Sequence, residues 1–436
     1  MAEKVLDIHE KPDALRWTVL SMQHMFAMFG ATILVPTLVG LSPAMALLTS
    51  GVATIIFILV TRWQVPAYLG SSFAFITPML AANEIGGIGG TMVGIVFVSF
   101  AYALISLIIW KSGYRWLMRL LPPIVVGPVI VVIGLSLAPT AIQMASTVPV
   151  VTESGAVEQV YSSTHLLAAA ITLFTAIGVL MFFKGLISLM PVLMGIIVGY
   201  IASIFLNIVD FEPVKEASWF AMPDFYLPGI HYDFVIHPEI LTLLIPVVIV
   251  TVSEHIGHQL VLGRVVDRNY IKEPGLHRSL LGDGLGTLIS GLVGGPPKTT
   301  YGENIGVLAM TRVYSVYVIL GAAVLAIAFA FLGKVMALIQ TIPQAVLGGV
   351  SILLFGMIAS AGLRMLVENN IDFDSQRNLV IASVILVIGI GNATLNFTLP
   401  LFGYDVNFTL GGMALAAITG VLLNVLLPGR PKQLIE

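Results

Sequence analysis

The 436-residue chain has no cysteine, which excludes disulfides and thiolate metal sites without fixing a compartment. Charge is scarce as well. Asp, Glu, Lys and Arg make up 10% of the residues, against about 25% in an ordinary soluble domain. The formal net charge is −3 and no basic stripe runs along the chain, so a nucleic-acid partner is not expected. Polar stretches long enough to form a soluble domain are also missing. Residues 1–13 are polar and the first apolar run is full length, so no cleavable signal pattern is expected.

Apolar runs fill the space instead. Hydrophobic residues account for 58% of the chain and the mean hydropathy is +1.00. Runs of about 20 apolar residues, each long enough to span a bilayer, recur from end to end. The reading is an all-α polytopic membrane protein with about fourteen transmembrane segments. These lie near 16–38, 43–61, 66–82, 91–110, 122–142, 164–183, 186–208, 238–262, 278–294, 297–311, 313–333, 343–363, 376–395 and 409–428. The third and tenth are short and interrupted by Gly and Pro. With the N-terminus inside, the Lys and Arg residues segregate to the cytoplasmic segments, from Lys4 to Arg430 and Lys432, except Lys215, Lys298 and Lys334. That segregation predicts an even number of crossings and two cytoplasmic termini. Residues 114–121, with Arg115 and Arg119, read as an interfacial helix.

The longest polar breaks are 147–164 and 210–237, and the second divides the chain near its middle. The halves echo each other. Gln23-His24 corresponds to Glu254-His255, and Ser71-Ser72-Phe73-Ala74-Phe75 to Thr299-Thr300-Tyr301-Gly302-Glu303, at offsets of 231 and 228 residues. Seven crossings per half would make the repeat inverted, 7+7, and corresponding interrupted spans point to a transporter site. The β-branched, aromatic, Gly and Pro residues there predict short extended segments inside spans 3 and 10. Phe73 and Gly302 occupy the turning points.

Two carboxylates stand out in this apolar setting, because an ionisable residue at a helix centre costs roughly 3 kcal/mol to insert. Glu303 lies in a Gly-flanked break and also suits the N-terminus of the following half-helix. Glu254 and His258, four residues apart, share one helical face, whereas His255 projects elsewhere. Glu-His-x-x-His lacks the order of a zincin site, so a substrate and proton site is favoured over a metal or a structural hydrogen-bonded pair. A protonated carboxyl places a donor beside an acceptor, which matches the N–H/C=O edge of a planar heterocycle, and Phe73 or Tyr301 supplies a ring for stacking. Two carboxylates would equally suit a cation. Asp283, in Gly282-Asp283-Gly284, reads as a buttress of the site or a helix-packing polar residue. No nucleophile–base–orienter set is visible, and an enzyme is not expected.

Glu303-Asn304-Ile305-Gly306 with Thr311-Arg312 resembles the signature of the nucleobase-ascorbate transporter, or nucleobase:cation symporter-2, family. Gln23-His24, Ala67-Tyr68-Leu69-Gly70-Ser71-Ser72-Phe73-Ala74-Phe75 and Glu254-His255-Ile256-Gly257-His258 are similar to its bacterial uracil-transporting branch. The resemblance covers essentially the whole chain. It implies a core domain from residues 14–121 and 237–335, and a gate domain from 122–236 and 336–430. It further implies proton-coupled uracil uptake by a homodimer in the bacterial inner membrane, driven by the proton gradient with no resident cofactor or metal. A purine such as xanthine is the alternative substrate. Carried over by position, Glu254 and Glu303 would hydrogen-bond the base, and the backbone N–H groups of Phe73 and Gly302 would meet its carbonyls. His258 would join Glu254 and Glu303 in proton coupling, and Tyr301 would wall the pocket. Gln23, Ser72, Asp283, Asn304 and Phe355 would support it. Phe355 departs from the Tyr of close relatives, which removes a hydroxyl contact, and Asp283 stands where some uracil carriers have Asn.

Overall fold

A computed structural model of the chain describes residues 5–151, 157–185, 187–401 and 404–429. Lys4, Arg430 and Lys432 lie outside them. Among the described residues, seven helices are long and apolar enough to cross a membrane, from Ala14–Val39 to Gln344–Glu368. Val316–Ala330 and Gly333–Gln340 form a further pair bent by 83°, and Pro191–Phe205, Gln376–Ile390 and Gly412–Leu426 are shorter apolar helices. Local chemistry sets the ends. Asp13 caps the first helix by accepting the Arg16 N–H at 3.0 Å, and Gly40, at φ 75°, closes it in the left-handed conformation. The interfacial helix is present as Arg115–Leu120. Spans 3 and 4 run almost end to end as Ile76–Ser112, broken at Gly87, whose φ of 62° and ψ of −171° no helix accommodates. The polar break at 147–164 contains an antiparallel hairpin, Thr147–Val151 with Val157–Tyr161, and a second hairpin pairs Leu395–Leu401 with Tyr404–Leu410. Both are rich in β-branched and aromatic residues, which favour strand over a disordered connection.

The helices pack in two groups. In one, Leu276–Val293 lies against Ile76–Ser112 and Pro43–Val60, while Val316–Ala330 lies against Pro43–Val60 and Ala14–Val39. In the other, Gln344–Glu368 packs on Pro123–Ser136, Ala138–Ser146 and Ser163–Phe182, and Gln376–Ile390 on Pro123–Ser136 and Gly412–Leu426. Val247–Val266 stands between them. It touches Gly302–Thr311 and the strand before it, and also Pro123–Ser136 and Gly412–Leu426.

The extended segments expected in spans 3 and 10 are present, and they pair with each other. Leu69–Ser71 runs antiparallel to Lys298–Thr300, with Leu69 opposite Thr300 and Ser71 opposite Lys298. The ladder continues outward, since Tyr301 N–H donates to Tyr68 C=O at 2.9 Å and Ser72 N–H to Pro297 C=O at 2.9 Å. Each strand is also anchored by a threonine of the helix preceding it. Thr54 accepts the Leu69 N–H at 2.9 Å, and Thr287 accepts the Lys298 N–H at 3.0 Å. Lys298 therefore does not approach the outer surface as its charge suggests; it is fully buried in the strand pair. The Tyr301 hydroxyl donates to Ser71 C=O at 3.0 Å, laying the ring across Gly70.

The Val247–Val266 helix is held in rotation by a separate polar face. Thr251 bonds to the Tyr102 hydroxyl. His255, one turn on, meets Asp283 at 2.7 Å through Nδ1 and Ser279 at 2.8 Å through Nε2. The fold thus assembles a Ser–His–Asp set that the sequence does not reveal, but Ser279, His255 and Asp283 are 1%, 0% and 0% exposed. It braces one helix against another.

A Cβ at Gly70 would stand 2.1 Å from the Tyr301 Cζ, and the ring is fixed by its hydroxyl, so Gly70→Ala is expected to cost about 1–3 kcal/mol. An unchanged melting temperature of the purified protein in detergent would contradict this. Asp283→Ala leaves His255 without its carboxylate partner, at an expected cost of about 1–3 kcal/mol in the same assay. Ser279→Ala, which leaves the carboxylate in place, is expected to cost less.

Candidate functional site

The crossed strands deliver two helix N-termini to one region. Ser71 and Ser72 lead into the single 3-10 turn Phe73–Phe75, which runs on into the long helix, and Thr300 and Tyr301 lead into Gly302–Thr311. Phe73 and Gly302 are the first residues of these helices, so their N–H groups have no acceptor within the helix and point outward with the positive end of its dipole. Glu303 occupies the first turn of the second helix, as its capping reading requires. Glu254 lies on Val247–Val266, which packs against Gly302–Thr311 and against the Phe73–Phe75 turn.

His258 sits one turn beyond Glu254, as the i, i+4 spacing predicts. Its Nδ1 lies 3.1 Å from the Thr300 hydroxyl, and its ring packs on Gly302, where a Cβ would come within 3.2 Å of Nε2. A side chain at 302 would push the imidazole away from the strand. Asn304 is fully buried and ties the new helix to the first one, donating to His24 C=O at 3.3 Å and meeting the His24 ring at 3.3 Å. Phe73 stacks edge-to-face with Phe355 at 5.8 Å between centroids, so an aromatic pair bridges the two helix groups beside the carboxyls.

Glu254, His258, Glu303, Phe73, Gly302 and Asn304 therefore belong to one neighbourhood, with Phe355 at its edge. The Tyr301 ring covers Gly70 and its hydroxyl donates to Ser71 C=O. Asp283 reaches this neighbourhood only indirectly, through His255 on the helix that carries Glu254.

The polar atoms left over are informative. Glu254 Oε2, Ser71 and Ser72 Oγ, Thr299 Oγ1, Asn304 Oδ1 and Gln23 Nε2 are buried without a partner among the described residues. Buried polar groups in native proteins are nearly always hydrogen-bonded. Ser71 and Thr299 belong to the paired strands and Ser72 flanks them. Gln259, whose amide nitrogen and oxygen are both unpartnered, was not singled out in the sequence. Its place one turn beyond His255 is the only signal that could have found it.

Residues 15–398 match the family described as "Permease family". The chain is 58% identical over 432 residues to the uracil permease of Bacillus caldolyticus, covering 99% of this chain and 96% of that one. It is 53% identical over 423 residues to the uracil permease of Bacillus subtilis, covering 97% and 95%, and 41% identical over 430 residues to that of Escherichia coli, covering 98% and 94%. Among solved structures, the transmembrane domain of the cyanobacterial bicarbonate transporter BicA aligns at a TM-score of 0.60 and 15% identity, covering 88% of this chain and 99% of that one. The murine anion transporter Solute Carrier 26 family member A9, in its inward-facing state, aligns at 0.67 and 10%, covering 96% and 69%. These two establish a shared transporter fold and no more. A multi-pass membrane protein whose motifs, length and sequence all align with these permeases, the chain belongs to the nucleobase:cation symporter-2 permease family, in the branch that contains the bacterial uracil permeases.

Proposed function

We propose that this protein takes up uracil across the bacterial cytoplasmic membrane together with protons. The observation that carries the reading is the packing of Val247–Val266, which bears Glu254, against Gly302–Thr311, which bears Glu303, and against the Phe73–Phe75 turn. Uracil is a small planar ring with N–H/C=O edges. A carboxyl bearing its proton offers a donor and an acceptor side by side and matches such an edge, whereas an ionised one only accepts. The two helix N-termini supply donors for the carbonyls, and the Phe73–Phe355 pair offers an apolar wall. The names of the relatives favour the same substrate.

The same arrangement supports a reading of proton coupling. Two ionised carboxyls side by side repel, so a neutral base binds best when a proton arrives with it. Glu254, Glu303 and the neighbouring His258 are the groups proposed to exchange that proton, and the proton gradient is the driving force, with no resident cofactor. Transport is proposed to proceed by alternating access. Residues 14–121 and 237–335 would form a core that carries the base past a gate of 122–236 and 336–430, in a fourteen-span, 7+7 inverted arrangement. A homodimer with both termini in the cytoplasm completes the proposal.

Uptake of radiolabelled uracil into proteoliposomes tests the coupling. Accumulation is expected only with an inward proton gradient, and gradient-independent accumulation would contradict it. Unlabelled thymine, xanthine and hypoxanthine are expected to compete less well than uracil, and dominance by a purine would reassign the substrate. Glu303→Gln keeps a donor and an acceptor but cannot titrate. It is expected to bind uracil within about tenfold of the native protein, a difference of ~1.4 kcal/mol, and to lose gradient-driven accumulation. Normal accumulation with unchanged pH dependence would remove Glu303 from the coupling.

A further inference from the structure

Lys298 has no part in the mechanism above, yet its placement is unusual. Its side chain is fully buried, and Nζ donates to Ala46 C=O at 3.2 Å and lies 3.0 Å from Ser50 Oγ, both on the Pro43–Val60 helix. Neither partner is a carboxylate. Glu254 and His258 on Val247–Val266, His255 and Asp283 in their own brace, and Glu303 beyond the strand form no ion pair with it among the described residues. An amino group withdrawn from water with only neutral acceptors is costly, and a methionine would fill the same space without that cost. Packing alone therefore gives no reason for a lysine here.

The connections of this residue supply one. Through its backbone Lys298 is held by Thr287 of Leu276–Val293 and paired with Ser71 in the opposite strand. Through its side chain it is pinned to Pro43–Val60. One residue thus fixes the start of the second crossed strand against two helices. Thr300, two residues on, holds His258, and Gly302 and Glu303 follow. Any slip of the strand would displace both the Gly302 N–H and the Glu303 carboxyl.

We infer that Lys298 is a positioning residue of the binding site, whose amino group clamps the crossed strand to the Ala46–Ser50 turn and so sets where Gly302 and Glu303 meet the solute. For its ligand readout this rests on the uracil reading; its structural readout does not. Lys298→Met keeps the volume and removes the donors, and Lys298→Gln keeps a neutral donor. Uracil affinity is expected to fall about tenfold in Lys298→Met and to recover to within about threefold in Lys298→Gln, each lost hydrogen bond counting for roughly a fewfold. Ser50→Ala is expected to weaken binding about threefold alone and to add little on top of Lys298→Met. In ligand-free protein, hydrogen–deuterium exchange over residues 298–306 is expected to accelerate in Lys298→Met and in Ser50→Ala. A Met variant that binds uracil as tightly as the native protein, a Gln variant no better than Met, independent effects of the two sites, or unchanged exchange would each overturn the inference. Should Lys298→Met fail to fold, native-like affinity and exchange in Ser50→Ala would overturn it alone. Absence of uracil binding by the native protein would refute the proposed substrate and leave the exchange measurement standing.

Discussion

Extended backbone buried in an apolar helical protein has to satisfy every N–H and C=O from within the chain, because neither lipid nor apolar side chains can do so. Residues 68–72 and 297–301 meet that constraint by pairing with each other across some 230 residues of sequence. Thr54 and Thr287 close the ends that the short ladder leaves open. The rest of the site depends on this junction. It starts two helices, leaves the N–H groups of Phe73 and Gly302 without an intrahelical acceptor, and places Glu303 in the first turn of a helix that packs against the one bearing Glu254. Had either segment continued as helix, those donors would have been spent on backbone carbonyls.

The helix bearing Glu254 has two polar faces with different tasks. Thr251 and His255 are fully engaged with Tyr102, Asp283 and Ser279, and they fix the rotation of the helix. Glu254 is 7% exposed, and its Oε2 has no partner among the described residues. The bonds of Thr251 and His255 hold the helix in rotation and so hold Glu254 in place.

Much of this was legible in the sequence. The apolar runs announce a membrane protein, the i, i+4 spacing pairs Glu254 with His258, and Gly, Pro and β-branched residues around 71–73 and 299–302 announce interruptions. The pairing of those interruptions was not legible, since each finds its partner strand some 230 residues away rather than in the local pattern. The same holds for His255 with Asp283 and Ser279, which lie 28 and 24 residues apart. The burial of Lys298 was not legible for a simpler reason. A lone positive charge near the end of a span suggests a surface, and only the fold reveals the carbonyl and hydroxyl that hold it inside. The hairpin at 147–161 was read as a plain polar break because its alternation is short and flanked by long apolar runs.

The central claim is that the crossed strands bring two carboxyls and two helix N-termini to one planar base. An experimental structure of the protein with uracil bound tests it most directly. The account predicts the ring between Glu254 and Glu303, within hydrogen-bonding distance of both carboxyls and of the Phe73 and Gly302 N–H groups. A base bound away from the strand crossing, or held without either carboxyl, would contradict it.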